Sequence, residues 1–190
     1  MQTRAHWEHV YSTKAADAVS WYQPHADLSM QMIEAAGMSA TAAILDVGGG
    51  ASMLVDDLLV AGYSDITVLD LSAAALDAAR ERLGTHAAQV NWIQADITHV
   101  QLPLHAFDVW HDRAVFHFLT DTQQRRLYVQ QLIHALKPAG HVVIATFAED
   151  GPTQCSGLPV MRYRADQLAA ELGSAFDLIQ HQQAAHQTPF

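Results

Sequence analysis

A run of three glycines directly behind an aspartate is the feature of this chain that most clearly predicts chemistry on a bound ligand. Asp46 lies in the apolar segment 44–47 and precedes Gly48, Gly49 and Gly50. Glycines at such a strand end permit a tight turn in which backbone amides approach a nucleotide-like ligand. The residues that follow are apolar and helix-forming, as in the strand, turn and helix of an α/β sheet. This stretch therefore predicts a ligand crevice at the end of the first strand.

Two more aspartates follow the next two strand-like segments. Asp70 ends the segment 65–71, twenty residues after Gly50, and Asp96 follows the segment 90–94. In doubly wound folds an acid at the second strand end bonds the ribose, because a carboxylate accepts two hydrogen bonds in parallel. Each aspartate taken singly is equally well explained as a turn residue or a helix N-cap. Three acids at three successive strand ends, behind one glycine turn, favour a bound cofactor.

The spacing of the glycines narrows the choice of ligand. A dinucleotide fingerprint needs a third glycine where this chain has Met53, and a bulky side chain there argues against NAD or FAD. A P-loop is excluded, since no Gly-Lys-Ser or Gly-Lys-Thr follows. Asp46, Gly48 and Gly50 instead resemble motif I of class I S-adenosylmethionine (SAM)-dependent methyltransferases, with Ser52 in place of its last glycine.

This resemblance extends over about residues 42–148 and implies SAM as the cofactor, with S-adenosylhomocysteine as the product. It implies that Asp70 binds the ribose, that Asp96 accepts a hydrogen bond from the adenine amino group, and that Ile97 covers the adenine ring. The cofactor-binding residues that it implies are Asp46, Gly48, Gly49, Gly50, Asp70, Leu71, Asp96, Ile97, His111, Trp7 and Tyr11.

The residues after the fourth predicted strand are the candidates for catalysis. Asp112 is a candidate to hold the cationic amino group of the cofactor, and Arg113 to hold an anionic substrate through its guanidinium fork. His117 is a candidate general base, because the ordinary pKa of histidine lies near neutral pH. Two alternatives stay open. One is that Arg113 only forms an ion pair with Asp112 or Asp121. The other is that His117 only stacks between its phenylalanine neighbours.

Aromatic residues near the N-terminus predict a lid over the site. The segment 6–11 resembles the entry helix of these enzymes, and the segment 21–24 adds two more aromatic side chains before a break. Such a lid excludes water, and the faces of Trp7 and Tyr11 attract a sulfonium by cation–π interaction. The alternative is that these two residues, one helical turn apart, only pack the helix onto the core. We also expect the loop 150–159 to border the substrate, with its Cys155 as a packed residue.

The elements that must position these residues alternate between strand and helix. The predicted strands are 42–47, 66–69, 90–94, 107–111 and 141–147, with a sixth near Phe176, and the main helices are 53–60, 73–83, 121–136 and 165–172. This order predicts an α/β fold of one domain (1–190). A helical lid (1–40) precedes a Rossmann-like core (41–190), whose doubly wound, mainly parallel sheet has helices on both faces. The final antiparallel strand of the family sheet is expected to be missing, so a strand-exchanged homodimer is an alternative to a monomer.

Composition limits the partners. The chain has 190 residues, with 20 acidic and 10 basic side chains and a net charge of −10, which disfavours nucleic acid. No apolar run is long enough for a membrane span, no signal peptide is evident and only one cysteine occurs, so we expect a soluble cytoplasmic protein. The 12 histidines show no recognised metal-binding spacing, and no metal is expected.

The methyl acceptor is predicted from short stretches. The Asp112-Arg113 pair, followed by Arg125 and Tyr128, resembles the thiopurine and thiol methyltransferase group. The N-terminal aromatic residues resemble small lysine methyltransferases, although the Lys-Gly pair that those carry after strand four is lacking. We therefore expect a small-molecule methyl acceptor such as a thiol or another soft nucleophile. The alternatives are a protein lysine methyltransferase and a SAM-binding regulatory module without catalysis.

Overall fold

A parallel five-stranded sheet forms the centre of the molecule in the computed structural model, which describes residues 4–188. Its strands are β1 (Ala43–Val47), β2 (Asp65–Asp70), β3 (Val90–Gln94), β4 (Phe107–Arg113) and β5 (Leu136–Ala145). They lie side by side in the order β3-β2-β1-β4-β5. The order reverses beside β1, and ligands of open α/β sheets bind at such a switch point, outside the carboxyl ends of the strands.

Residues 4–188 also form six α-helices, three short 3₁₀ helices (Ala16–Ala18, Gly84–Gln89 and Phe116–Phe118) and a short hairpin. The α-helices are α1 (Arg4–Thr13), α2 (Asp27–Ala35), α3 (Leu54–Val60), α4 (Ala73–Leu83), α5 (Thr122–Ala135) and α6 (Ala165–Leu172). The hairpin pairs β6 (Gln154–Cys155) with β7 (Leu158–Pro159) in antiparallel fashion. No helix within residues 4–188 has both the length and the apolar character that crossing a membrane requires.

The starts of two helices are set by polar side chains that cap their first turns. The Ser72 hydroxyl accepts a hydrogen bond of 3.1 Å from the backbone N–H of Ala75, and α4 begins at the next residue. The Asp121 carboxylate accepts bonds of 2.7 and 3.2 Å from the backbone N–H groups of Gln123 and Gln124 at the start of α5. N-caps of this kind satisfy amides that have no partner inside the helix.

Two hydrophobic cores cover the two faces of the sheet. Alternate residues of a strand point to opposite faces, and β1 shows this directly. Ile44 packs with apolar residues of α2, α3 and α4, whereas Leu45 and Val47 pack with those of α5. All five residues of β1 are buried, as expected for the central strand of a parallel sheet covered on both faces. The predicted doubly wound α/β fold is therefore confirmed.

The structure differs from the predicted elements at β5 and after α6. β5 begins at Leu136, five residues earlier than predicted, and includes the predicted turn 137–140. Pro138 is tolerated there because β5 is the edge strand and its register with β4 is interrupted between Leu136 and His141, so the missing N–H costs no ladder bond. The predicted sixth strand near Phe176 is wrong. The Phe176 N–H bonds back to the carbonyl of Gly173, and no strand forms between α6 and residue 188.

Candidate functional site

A cavity opens at the carboxyl ends of β1, β2 and β4, beneath α1 and the segment 16–23. It brings together predicted site residues from distant parts of the chain. Those that line it are Trp7, Tyr11, Asp46, Gly48, Gly49, Asp70, Leu71, Asp96, Ile97, His111 and Arg113. Gly50, Asp112 and His117 do not line it.

The glycine turn after β1 leaves no room for side chains. Gly48 and Gly50 have φ values of 69° and 40°, a backbone conformation that favours glycine. A Cβ atom on Gly48 would overlap the side chain of Val115, and one on Gly49 would overlap the carboxylate of Asp46. On Gly50 it would lie 2.6 Å from an Asp70 carboxylate oxygen. Gly50 therefore serves the site from outside the cavity, by letting Asp70 approach the turn.

A buried chain of hydrogen bonds holds Asp46 against β4. Its Oδ1 lies 2.7 Å from Nδ1 of His111, and Nε2 of His111 lies 2.9 Å from the Ser29 hydroxyl on α2. The second oxygen, Oδ2 of Asp46, is buried and has no hydrogen-bond partner in the described part of the chain. A buried carboxylate oxygen without a donor is costly, so this atom marks a place for a ligand. Sequence reasoning did not find Ser29, since one serine within an amphipathic helix gives no signal.

Asp70 ends β2 with its side chain at the cavity wall. One of its carboxylate oxygens accepts a bond of 2.8 Å from the backbone N–H of Ser72, and the residue is only 8% exposed. Burial raises the pKa of the Asp70 carboxyl to about 7, and the negative charges of Asp46 and Glu8 add to this effect. The group therefore changes charge near neutral pH.

Asp96 and Ile97 form part of the cavity wall after β3. The Asp96 carboxylate accepts bonds of 2.8 Å from the N–H and 2.6 Å from the hydroxyl of Thr98, so one oxygen closes a local turn. One carboxylate oxygen of Asp96 thus acts as in a turn residue, which was the alternative interpretation. The residue nevertheless lines the cavity. Ile97 is buried and presents an apolar surface there.

Four aromatic side chains form a cluster above the cavity. The ring of Trp7 on α1 lies 5.7 Å from that of Trp21 and 5.1 Å from that of Phe118, both in edge-to-face contact. The Trp21 indole N–H donates a bond of 3.1 Å to the Tyr11 hydroxyl. The lid and packing interpretations of Trp7 and Tyr11 therefore coincide, because these rings contact one another and line the cavity together.

Glu8 fastens α1 to the core, a role that sequence analysis did not reveal. Its carboxylate accepts bonds of 2.9 Å from the Ser72 hydroxyl, 2.9 Å from the Ala73 N–H and 3.2 Å from the Ala74 N–H. A negative side chain thus caps the N-terminus of α4, where the helix dipole favours it. The two segments are more than sixty residues apart in sequence, so no local pattern indicates the contact.

Replacing Glu8 with alanine should loosen α1. The change removes three hydrogen bonds at the start of α4, a loss comparable to an N-cap deletion of about 1 kcal/mol. Native-state hydrogen exchange of α1 should therefore become about fivefold faster, with the sheet unaffected. Glu34→Ala, at an exposed position of α2, is the control. Unchanged exchange in α1 would show that Glu8 does not hold the helix.

Arg113 lies at the end of β4 with its guanidinium inside the cavity. One Nη donates a bond of 2.9 Å to the carbonyl of Trp21, and no carboxylate pairs with the group within residues 4–188. The predicted alternative of an ion pair with Asp112 or Asp121 is therefore wrong. Burial lowers the pKa of Arg113, while the charge of Asp46 acts in the opposite direction. Arg113 thus offers free N–H donors to a ligand.

Asp112 lies on the α5 side of β4 and does not line the cavity, so the structure does not support the prediction that it holds the cofactor amino group. Its carboxylate accepts bonds of 2.8 and 3.0 Å from the N–H groups of Val115 and Phe116 and of 2.6 Å from the Tyr128 hydroxyl. Burial raises the pKa of Asp112 to about 6, against the effect of these donors. The residue closes the turn after β4.

His117 is also placed away from the cavity. It is fully buried, and neither ring nitrogen has a partner within residues 4–188. Its ring contacts Phe118 at 4.4 Å and Phe147 at 4.9 Å between centroids, and burial lowers its pKa to about 4. This position does not support the predicted role as a general base, and the stacking alternative describes it, with Phe147 in place of Phe116.

The Asp112 network should be important for stability. We expect Asp112→Ala to lower the free energy of unfolding by about 3 kcal/mol, because two backbone N–H groups and the Tyr128 hydroxyl lose their buried acceptor. Urea unfolding measures this difference. Asp77→Asn on α4, which breaks an exposed ion pair with Arg80, should change stability by less than about 0.5 kcal/mol. Equal stability of the two variants would contradict the structural role of Asp112.

The loop 150–159 borders the cavity through Cys155, as expected. Ser156 next to it lies 3.1 Å from Nε2 of His6, so the hairpin also contacts α1. Burial raises the pKa of the Cys155 thiol, although the charge of Arg113 partly offsets this. A protonated thiol is a poor nucleophile, which agrees with a packing role.

The chemistry of this wall fits the cofactor that the sequence resemblance implies. An unpartnered Asp46 oxygen suits a cationic amino group, and the Asp70 carboxylate suits a ribose diol. The cradle of glycine backbone admits a ligand at the end of β1, and the aromatic cluster suits a sulfonium. Across residues 4–188, no cluster of three or more His, Cys, Asp or Glu side chains is placed to bind a metal ion.

Comparison with known proteins identifies relatives of this chain. A family model described as a methyltransferase domain matches residues 44–140. The eEF1A lysine and N-terminal methyltransferase of Homo sapiens is 26% identical over 139 residues, which are 73% of this chain and 19% of that protein. The EEF1A lysine methyltransferase 2 of Danio rerio is 29% identical over 123 residues, which are 62% of this chain and 53% of that protein. This chain therefore spans between about a fifth and a half of the length of these relatives.

A solved structure shares the fold. The S-adenosylmethionine-dependent methyltransferase of Mesorhizobium loti superposes with a TM-score of 0.64 at 20% identity, over 80% of this chain and 82% of that one. The matched family region runs from β1 into β5 and contains the glycine turn and the ends of β1, β2 and β4. These are the elements that build the cavity.

Proposed function

This chain belongs to the methyltransferase-domain family, within the class I methyltransferases that depend on SAM. We propose that it methylates a small acceptor that carries an anionic group or a thiol. When bound, SAM supplies a methyl group that its sulfonium has already activated. The residues of this chain then need to hold SAM, orient the acceptor and exclude water.

The residues that would hold SAM are those at the ends of β1, β2 and β3. Oδ2 of Asp46 would accept from the amino group, and Asp70 from the ribose hydroxyls. Asp96 keeps one carboxylate oxygen outside its bonds to Thr98, and Ile97 adds an apolar surface for the adenine. The aromatic cluster on α1 and the segment 16–23 would keep water out.

Arg113 is the single observation that carries the proposal on the acceptor. Its guanidinium lies in the cavity close to Tyr11, Trp21 and Cys155, and among residues 4–188 it has unused hydrogen-bond donors and no paired acid. A guanidinium in such a place attracts a carboxylate, a phosphate or a thiolate. The first two accept two parallel hydrogen bonds, and the thiolate carries a full negative charge. It repels an ammonium, which disfavours a lysine side chain beside it.

The described residues near Arg113 that could titrate are poor bases, which supports an acceptor that is already a nucleophile. Burial raises the pKa values of both Tyr11 and Cys155, so neither group removes a proton readily at neutral pH. Both nitrogens of His111 are engaged with Asp46 and Ser29. A thiolate or a carboxylate needs no such base, whereas a lysine ammonium must first lose a proton.

A protein lysine acceptor is the second candidate. The relatives from Homo sapiens and Danio rerio carry names that specify lysine methylation of eEF1A, and a net charge of −10 would attract a basic protein partner. A third candidate is a module that binds SAM and regulates a partner without turnover.

Transfer of labelled methyl groups separates these candidates. The protein is incubated with SAM labelled at the methyl group, with a set of small thiols and carboxylates in one arm and a protein extract in the other. We expect label in a small acid or thiol, with Arg113→Ala reducing it. Label on protein lysine would favour the second candidate. SAM binding without transfer in either arm would favour the third.

A further inference from the structure

The bonds that join Ser29, His111 and Asp46 connect the N-terminal helices to the cofactor side of the cavity. We propose that His111 is a positioning residue which, held by Ser29, fixes Asp46 so that its Oδ2 meets the cationic amino group of the methyl donor. This inference rests on the proposed use of SAM. The inference adds a role for Ser29 and His111, which act on the methyl donor only through Asp46.

The direction of each hydrogen bond follows from the chemistry of the groups. A carboxylate only accepts, so the proton of the 2.7 Å contact lies on Nδ1 of His111. In the neutral ring Nε2 then carries a lone pair, and the Ser29 hydroxyl donates to it across 2.9 Å. Ser29, His111 and Asp46 are 7%, 2% and 2% exposed, so water does not compete for these bonds. For a neutral ring, the chain of bonds therefore selects the Nδ1–H tautomer.

The free oxygen of Asp46 is the atom that this arrangement presents. Oδ1 is occupied by His111, whereas Oδ2 is buried without a partner among residues 4–188. A Cβ atom on Gly49 would overlap Oδ2, so the space beside it exists only because that residue is glycine. Without the bond to His111, the carboxylate could rotate about its χ2 angle and share its charge differently.

His111 itself has no ring nitrogen left for an acceptor or a proton. Both nitrogens point at protein partners, on β1 in one direction and on α2 in the other. Its contribution to binding must therefore pass through Asp46. The bond to Ser29 also makes the donor site sensitive to the position of α2, since a shift of that helix would release Nε2.

Two substitutions separate positioning from simple packing. In His111→Asn the side-chain amide can replace the Nδ1–H donor to Asp46, whereas in His111→Gln the amide reaches toward the Nε2 position instead. Two probes are titrated by calorimetry. S-adenosylhomocysteine carries the amino group, and 5′-methylthioadenosine has the same adenosine and thioether without the amino acid part. Neither readout requires turnover.

We expect His111→Gln to weaken the binding of S-adenosylhomocysteine by at least about tenfold and that of methylthioadenosine by less than about twofold, since only the former has the amino group that a displaced Asp46 carboxylate no longer meets. The affinity of His111→Asn for S-adenosylhomocysteine should stay within about threefold of that of the unchanged protein. If His111→Gln is unfolded, Ser29→Ala serves as the second variant, with an expected selective loss of about threefold for S-adenosylhomocysteine. Nitrogen-15 NMR of the His111 ring should show the Nδ1–H tautomer.

Equal weakening of both probes, or no weakening of either, would overturn the positioning role, as would an Nε2–H tautomer. These results are distinct from a failure of the proposed function. If the unchanged protein binds neither probe, the use of SAM is wrong. If it binds both and only the variants fail to discriminate, the inference about His111 and Ser29 is wrong.

Discussion

Asp70→Asn should weaken SAM binding by about 1–3 kcal/mol, or roughly five- to 150-fold, because the ribose hydroxyls lose a charged acceptor. The asparagine has nearly the same size, and the bond from the Ser72 N–H can still reach its amide oxygen. The change therefore tests the charge of Asp70 and leaves the turn in place. Calorimetric titration with S-adenosylhomocysteine at a pH above 7 measures the effect.

The same residue should make SAM binding depend on pH. Burial raises the pKa of Asp70 to about 7 in the protein without ligand, and the ionised form is the better acceptor for two hydroxyls. Affinity should therefore fall by about tenfold for each pH unit below 7, and level off above it. The stability of the unliganded protein should follow the opposite trend. The contribution of Asp70 is full below the ordinary carboxyl pKa and is lost as the pH rises through about 7.

Asp70→Asn should remove both pH trends, since asparagine does not titrate. Asp65→Asn is the matched control, because Asp65 lies exposed at the start of the same strand. It should leave the affinity and its pH dependence unchanged. A pH dependence that persists in Asp70→Asn would assign the titration to another group.

Arg113→Ala should lower kcat/KM for the acceptor by about a hundredfold and leave the affinity for SAM nearly intact, since a buried charge-assisted pair with the acceptor is lost. Arg113→Lys should recover only part of this loss, because an ammonium lacks the planar fork. Arg126→Ala, at an exposed position of α5, is the control and should have no effect. Steady-state kinetics at saturating SAM, with the acceptor found in the labelling experiment, measures these values.

The binding of the two adenosyl probes reveals whether Arg113 binds the methyl acceptor or the methyl donor. If its partner were the carboxylate of the donor, Arg113→Ala would weaken S-adenosylhomocysteine and spare 5′-methylthioadenosine. That result would contradict the acceptor role. Unchanged kcat/KM would contradict it as well, and would remove the main argument against a lysine acceptor.

Much of the fold could be predicted because local chemistry determines it. β3, α4 and α6 have the predicted bounds, since each is flanked by a cap, a glycine or a sharp change in periodicity. The glycine turn and its aspartates were predictable because a doubly wound sheet brings the carboxyl ends of parallel strands to one edge. The start of β5 differs from the prediction, because the Lys-Pro-Ala-Gly segment 137–140 has turn residues but lies in an edge strand.

Contacts between distant segments could not be predicted from the sequence. Glu8 caps α4 and Ser29 bonds His111, and both contacts depend on how the N-terminal helices pack. Strand alternation sends Asp112 to the face opposite Arg113, which the motif alone did not reveal. The Arg125–Tyr128 pair that resembles the thiol methyltransferase group is likewise structural. Arg125 bonds Glu171 and backbone carbonyls, and Tyr128 bonds Asp112.

Several predictions about the wider biology stay predictions. The free edge of β5 in residues 4–188 keeps the strand-exchanged homodimer open beside the monomer. The cytoplasmic location and the choice of acceptor also await experiment. The acceptor is the question on which the family relatives and the charge of the cavity point in different directions, since a lysine would meet Arg113.

The central claim is that an adenosyl ligand with an amino acid tail occupies the crevice at the ends of β1, β2 and β3. Calorimetric titration of the unchanged protein with S-adenosylhomocysteine and, separately, with NADH tests this directly, at about one pH unit above the pKa of about 7 for Asp70. We expect one-to-one binding of S-adenosylhomocysteine and no binding of NADH. Binding of NADH with no heat from S-adenosylhomocysteine would contradict it.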